Sequence, residues 1–194
     1  MGSVVWLLVQ NLLILKKCSD YRICKEWALL VEASLNWSIL RYMGSAMTQN
    51  FNVVLYQPEI PQNTGNIGRL CVGTGCHLHL VEPLGFSLDE KKVRRAGLDY
   101  WSDLDLKVHE DWEPKERFFL FTKKAKHSVF DLDFQQGDNL VFGPESRGLP
   151  EEWLEAHPDK CYALPQVGPV RSQNLSNAVS AVVYLGLRHL EKSC

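Results

Sequence analysis

None of the six cysteines (Cys18, Cys24, Cys71, Cys76, Cys161 and Cys194) belongs to a CxxC pair, which argues against a zinc ribbon. Cys71 and Cys76 lie on a helical pattern that runs on into a strand, a poor geometry for a disulfide. Reduced thiols in a cytosolic protein are the simplest reading. No GxxxxGK[ST] phosphate loop and no G-x-S-x-G elbow occurs. The glycines after Asn63 are too few and wrongly spaced for a dinucleotide fingerprint, so a nicotinamide-binding Rossmann domain is disfavoured. Ser172 and Ser176 have no base identifiable in the sequence, so a hydrolase triad is disfavoured too. Charge of one sign is also lacking: 21 basic against 23 acidic residues gives a net of −2. That balance argues against a nonspecific nucleic-acid binder, and any RNA partner has to be held by local basic clusters.

Long apolar runs are missing as well. Val4 to Leu15 is the longest, and it falls short of the roughly 20 residues that span a bilayer. No basic residue precedes it and Lys16 and Lys17 follow it, unlike a signal peptide. Residues 1–46 carry Trp6, Trp27 and Trp37 without clear caps or turns. They are read as an N-terminal extension, with a membrane or targeting segment as the rival, and Met47 as the natural start of a domain over 47–194. The triplets Asn36-Trp37-Ser38 and Asn174-Leu175-Ser176 match a glycosylation pattern that is common by chance.

From Phe51 onward, strand and helix patterns alternate. Strands are expected over 51–56, 77–81, 104–108, 117–122, 139–142 and 161–164. A helix capped by Asn63 carries Ile67, Leu70, Cys71 and Thr74 at intervals of three and four, and Gly75 stops it. A charged helix over 89–96, a short one over 151–156 and a last one over 174–190 complete the pattern. The final helix sets Leu175, Val179, Val182 and Val183 on one apolar face, a candidate interface. Such alternation predicts an α/β fold, a mostly parallel sheet with helices on both faces. Ligands in such folds sit beyond the carboxyl ends of the strands.

Three loops follow strands, after Tyr56, Phe142 and Leu164. The second reads Phe142-Gly-Pro-Glu-Ser-Arg-Gly-Leu-Pro150, where glycine permits close approach and proline holds shape. The third leads into a cluster of short polar side chains over 172–180. Together they suggest a preformed small-ligand pocket. Lys91, Lys92, Arg94 and Arg95 form one basic cluster, and Lys123, Lys124 and Lys126 a second that follows a strand and suits phosphate contact. Tyr100 and Trp101 offer a stacking surface for a base. His77-x-His79 would put two imidazoles on one strand face, but no third metal ligand is evident, so packing or hydrogen bonding is favoured.

Three segments in this order carry a resemblance: Asn63-x-Gly65-Asn66-Ile67-x-Arg69-x-Cys71, the 142–150 loop, and Ser172-x-Asn174-Leu175-Ser176-Asn177-Ala178-Val179-Ser180. The chain resembles the SPOUT methyltransferases, in particular the TrmL/YibK type of tRNA 2′-O-methyltransferases. Leu55 to Pro61 and Arg94 to Tyr100 strengthen the match, which spans nearly all of 50–190 and nothing in 1–46. The resemblance implies a parallel α/β sheet with a C-terminal trefoil knot, S-adenosyl-L-methionine as cofactor, no metal, and a cytoplasmic homodimer. The implied substrate is the ribose 2′-OH of the wobble cytidine or modified uridine in a tRNA anticodon loop. Alternatives are another tRNA position, ribosomal RNA, or a noncatalytic RNA-binding module. By motif position Arg69 is catalytic, Phe121, Gly143, Leu164 and Ser172 bind cofactor, and Asn174 and Arg147 bind substrate. Relatives usually show Thr-Thr-Lys-Gly where this chain has Thr122-Lys123-Lys124-Ala125.

Overall fold

The computed structural model describes residues 50–88, 100–113 and 117–193. The 1–46 extension, the charged helix expected over 89–96 and the Lys91–Arg95 cluster lie outside the described residues. Among the described residues seven strands build one sheet: β1 (Asn52–Tyr56), β2 (His77–Val81), β3 (Leu106–His109), β4 (Phe118–Phe121), β5 (His127–Ser128), β6 (Asn139–Phe142) and β7 (Cys161–Ala163). Their order is β3-β2-β1-β6-β4-β7-β5, and every pairing is parallel. The expected fold class holds.

The central strands of this parallel sheet are apolar on both sides. In β1, Val53 and Leu55 face one core with Leu140 and Phe142 of β6, while Val54 faces another with Val141. Such near-continuous apolar strands need cover on both faces. Helices α1 (Pro61–Thr74) and α3 (Leu175–Ser193) cover the first face, and α2 (Glu151–Ala156) the second through Leu154. Each fully buried Val or Leu contributes roughly 1.5–3 kcal/mol to holding these layers.

Two sequence expectations need correction. Asn63 does not cap α1; the helix starts at Pro61, with Ile60 as its extended N-cap residue. Proline at the first helical position costs no hydrogen bond and fixes a helical φ, so it wins over a polar cap two residues later. Asn63 is left in the first turn, only 4% exposed, with its side chain available elsewhere. Second, the apolar face of α3 is not an interface. Val179, Val182 and Val183 are each 0% exposed, because that face is spent on the chain's own sheet. β5, only two residues long, was not anticipated.

Candidate active site

A cavity of about 710 Å³ opens where β4, β6 and β7 end, and the starts of α1 and α3 wall its other side. That volume is in the range of small-molecule and cofactor sites, roughly 300–1,000 Å³. Phe121, Gly143, Arg147, Leu164, Ser172 and Asn174 all line it. Six residues singled out in the sequence are therefore brought together. The rings of Phe121 and Phe142 stack 4.7 Å apart at 13° and form an apolar wall. Gly143 is needed for a reason other than ligand approach. A Cβ there would lie 2.3 Å from the Leu149 nitrogen and 2.4 Å from the Gly148 carbonyl carbon, because the 143–149 loop folds back onto its own start.

One line of hydrogen bonds joins all three motifs. Asn174 Oδ1 accepts from the Ser176 amide (2.9 Å) and hydroxyl (2.7 Å), capping α3. Asn174 Nδ2 donates to Asn63 Oδ1 at 2.9 Å, and Asn63 Nδ2 donates to Glu145 Oε1 at 2.8 Å. The second carboxylate oxygen of Glu145 accepts from the Glu59 amide at 2.9 Å. The ends of this line fix its direction. A carboxylate only accepts, and helix N-terminal amides only donate, so two amides between them must both point the same way. Asn63 and Glu145 were not among the sequence-derived site residues. Their signal was present, an asparagine too early to cap and an acid within a glycine-proline loop.

A second set of contacts fastens the turn after β1 to the 142–150 loop. Glu59 accepts from the Ser146 amide (3.0 Å) and hydroxyl (2.6 Å). Gln57 accepts from the Arg147 guanidinium through its side-chain oxygen. Gln57 has a φ of 49°, a left-handed backbone uncommon for a side chain of its size. Arg147 and Asn174 thus reach the cavity already held by neighbours. Of the second basic cluster, Lys123 and Lys124 line the cavity, and Lys124 pairs with Glu151. Lys126 is not part of the lining.

Arg69 lies apart from these residues. It is exposed, six residues along α1 from Asn63, and does not line the cavity of its own chain. Its guanidinium lies over the Tyr100 ring, 5.0 Å from the centroid. One face of the Tyr100 ring, expected to offer a stacking surface for a base, is therefore covered by Arg69.

The histidine pair behaves as packed side chains. His79 Nδ1 meets His109 Nε2 at 2.9 Å with stacked rings, and His77 pairs with Asp105 at 3.3 Å. Burial, followed by His109, Lys107 and His77, lowers the His79 pKa to about 4. Among the described residues no group of three or more His, Cys, Asp or Glu could hold a metal ion. Cys71, Cys76 and Cys161 are free and buried, and burial raises all three thiols, which disfavours them as nucleophiles.

An all-parallel sheet with a cavity cradled by loops after β4, β6 and β7 agrees with the SPOUT class of methyltransferases, to which its sequence and structural likenesses assign the chain. The SpoU rRNA Methylase family model matches residues 50–184, and the chain belongs to that family. It is 51% identical over 143 residues to a tRNA (cytidine(34)-2′-O)-methyltransferase of Methylovorus glucosotrophus (strain SIP3-4), covering 69% of this chain and 92% of that protein. The protein of the same name from Escherichia coli (strain K12) is 49% identical over 146 residues, 72% of this chain and 93% of that one. A solved structure described as giving insights into 2-OH methylation of C/U34 on tRNA matches with a TM-score of 0.69 at 44% identity. It covers 74% of this chain and 98% of that chain.

Proposed function

We propose that this protein methylates the ribose 2′-hydroxyl of the wobble nucleotide of tRNA, a cytidine or modified uridine at position 34. One observation carries the reading: a single cavity gathers residues from the 142–150 and 172–180 motifs and Asn63 of the first, in a chain 51% identical to a cytidine-34 2′-O-methyltransferase. The cofactor is S-adenosylmethionine. When bound, it supplies a methyl carbon already activated for displacement from sulfur. The cavity fits such a group: the Phe121–Phe142 wall and Leu164 suit an adenine, and Ser172 offers a hydroxyl to a polar tail.

Transfer to oxygen would form an O–CH₃ bond as the S–CH₃ bond breaks, with the sulfur leaving as a neutral thioether and the hydroxyl proton passing to solvent water. Since the carbon is activated, the chain's main contribution is alignment. Arg69 orients the acceptor hydroxyl and stabilises charge developing on it, the roles that a planar, delocalised cation fills. Because Arg69 lies outside its own cavity, the reading includes a homodimer in which a second copy completes the acceptor side. Arg147 and Asn174 contribute to the RNA-facing wall. An anticodon-loop nucleotide suits such a site, since its 2′-OH is reached without opening a duplex.

The catalytic domain in this reading is 47–194, with the trefoil knot in its C-terminal part, and the setting is the cytoplasm. Buried free thiols fit a reducing compartment. Among the described residues no helix is long and apolar enough to cross a membrane. The test is transfer of labelled methyl to total tRNA followed by nucleoside mapping. Label in a 2′-O-methyl nucleotide at position 34 is expected; label elsewhere, in ribosomal RNA, or none despite cofactor binding overturns it. Arg69→Ala should abolish transfer while calorimetry still detects cofactor binding.

A further inference from the structure

We propose that Tyr100 is a positioning residue for Arg69, holding its guanidinium from below and its helical turn from the side. This rests on the reading of Arg69 given above and goes beyond it by assigning what aims the side chain. Two independent contacts support it. The guanidinium carbon lies 5.0 Å from the Tyr100 ring centroid, over the ring face. The Tyr100 hydroxyl donates to the Gly65 carbonyl oxygen at 2.5 Å. In an α-helix the carbonyl of residue 65 is also the one that accepts the amide of residue 69. Tyr100 therefore touches both the backbone turn from which Arg69 springs and the charged end of its side chain.

The surrounding packing fixes Tyr100 in turn. A Cβ on Gly68 would stand 3.2 Å from Leu104 Cδ2, 3.4 Å from Trp101 Cζ3 and 3.7 Å from Tyr100 Cε2. The 100–104 segment is thus pressed against α1 at the residue preceding Arg69, with the 3₁₀ turn Trp101–Asp103 as its base. A long exposed arginine samples many rotamers. A ring face beneath its guanidinium favours one orientation by about two- to thirty-fold, depending on solvent access. In a reaction limited by alignment that preference enters kcat rather than cofactor affinity.

The test compares Tyr100→Phe with Tyr100→Leu in the full chain, measuring kcat and the separate KM values for S-adenosylmethionine and tRNA. Tyr100→Phe, which keeps the ring, should retain kcat within about threefold. Tyr100→Leu should lower kcat about tenfold with cofactor KM unchanged. If the Leu variant does not fold, Tyr100→Met repeats the comparison. A rise in tRNA KM with kcat untouched would make Tyr100 a base-stacking surface and overturn the proposal. Equal kcat for the Phe and Leu variants would overturn it too. Arg69→Ala is run in parallel: wild-type turnover there sinks the reading of Arg69 itself, and this proposal with it. Lost turnover in Arg69→Ala beside wild-type kcat in Tyr100→Leu sinks only the positioning role.

Discussion

Replacing Gly143 by alanine tests the cavity's construction most directly. The added Cβ would sit 2.3 Å from the Leu149 nitrogen, 2.4 Å from the Gly148 carbonyl carbon and 2.9 Å from Gly148 Cα. Comfortable separations are nearer 3.5 Å, so the backbone must part by roughly 1 Å. All three atoms are main chain, which no rotamer change can clear. Leu149, 5% exposed, would be pulled from the core on the α2 face. Overpacking of this kind costs about 1–3 kcal/mol. For a domain of this size that is a melting decrease of about 3–10 °C. The same shift displaces the wall proposed to hold the cofactor, and a misplacement of about 1 Å can cost about 100-fold in turnover. Calorimetry with S-adenosylmethionine, thermal melting and methyl transfer read these three effects. Gly73→Ala is the control: a Cβ there meets nothing within 4 Å, and an alanine in a helix gains about 0.5–1 kcal/mol. If Gly143→Ala melted and bound cofactor like the wild type, the fold-back of the 143–149 loop would be wrong.

Other outcomes follow from the same geometry. Asn174→Asp keeps the acceptor that caps α3 but loses the amide donor to Asn63. It should destabilise by about 1–2 kcal/mol and weaken cofactor binding. Asn174→Ala, losing the cap as well, should lose about 1 kcal/mol more; urea melts of both variants check this, and a wild-type midpoint for Asp would refute the amide line. His79 gives a pH dependence of definite sign. Its folded pKa of about 4 lies below the ordinary 6.5, so between these values the unfolded chain binds the proton that the folded chain refuses. Stability therefore falls as pH drops from 6.5 toward 4, by about 1–2 kcal/mol once partial solvent access is allowed for. Urea midpoints at pH 7 and pH 5 should differ in the wild type and differ less in His79→Leu.

Much of this architecture can be read from local sequence because the central strands are apolar throughout. Val53 to Leu55 and Leu140 to Phe142, short β-branched or apolar runs bounded by turn residues, read as strands covered on both faces. What local patterns could not carry is strand order: nothing in residues 139–142 says that they lie between β1 and β4. Motif position brought Phe121, Gly143, Leu164 and Ser172 to one cavity, since loops after parallel strands converge at one end of the sheet. Arg69 escaped the same logic. Helical spacing gives the face on which a residue sits, but not whether that face meets its own chain's cavity. Asn63 was misread for a related reason: an asparagine ahead of a helical pattern signals a cap, and only tertiary contacts reveal a polar link.

The pairing of Asn52 with Asn139 and of Leu55 with Phe142 has a consequence for how the molecule comes into being. On a ribosome, β1 through β4 emerge while the slot between β1 and β4 is still empty, and a nascent chain would show apolar strand edges to its surroundings. Sheets closed by such distant partners assemble slowly and leave sticky intermediates. The cavity proposed to hold the cofactor is closed by segments that follow that late strand, among them residues 143–149 and 172–174, so added S-adenosylmethionine should protect the finished protein from unfolding yet do nothing to speed its first folding.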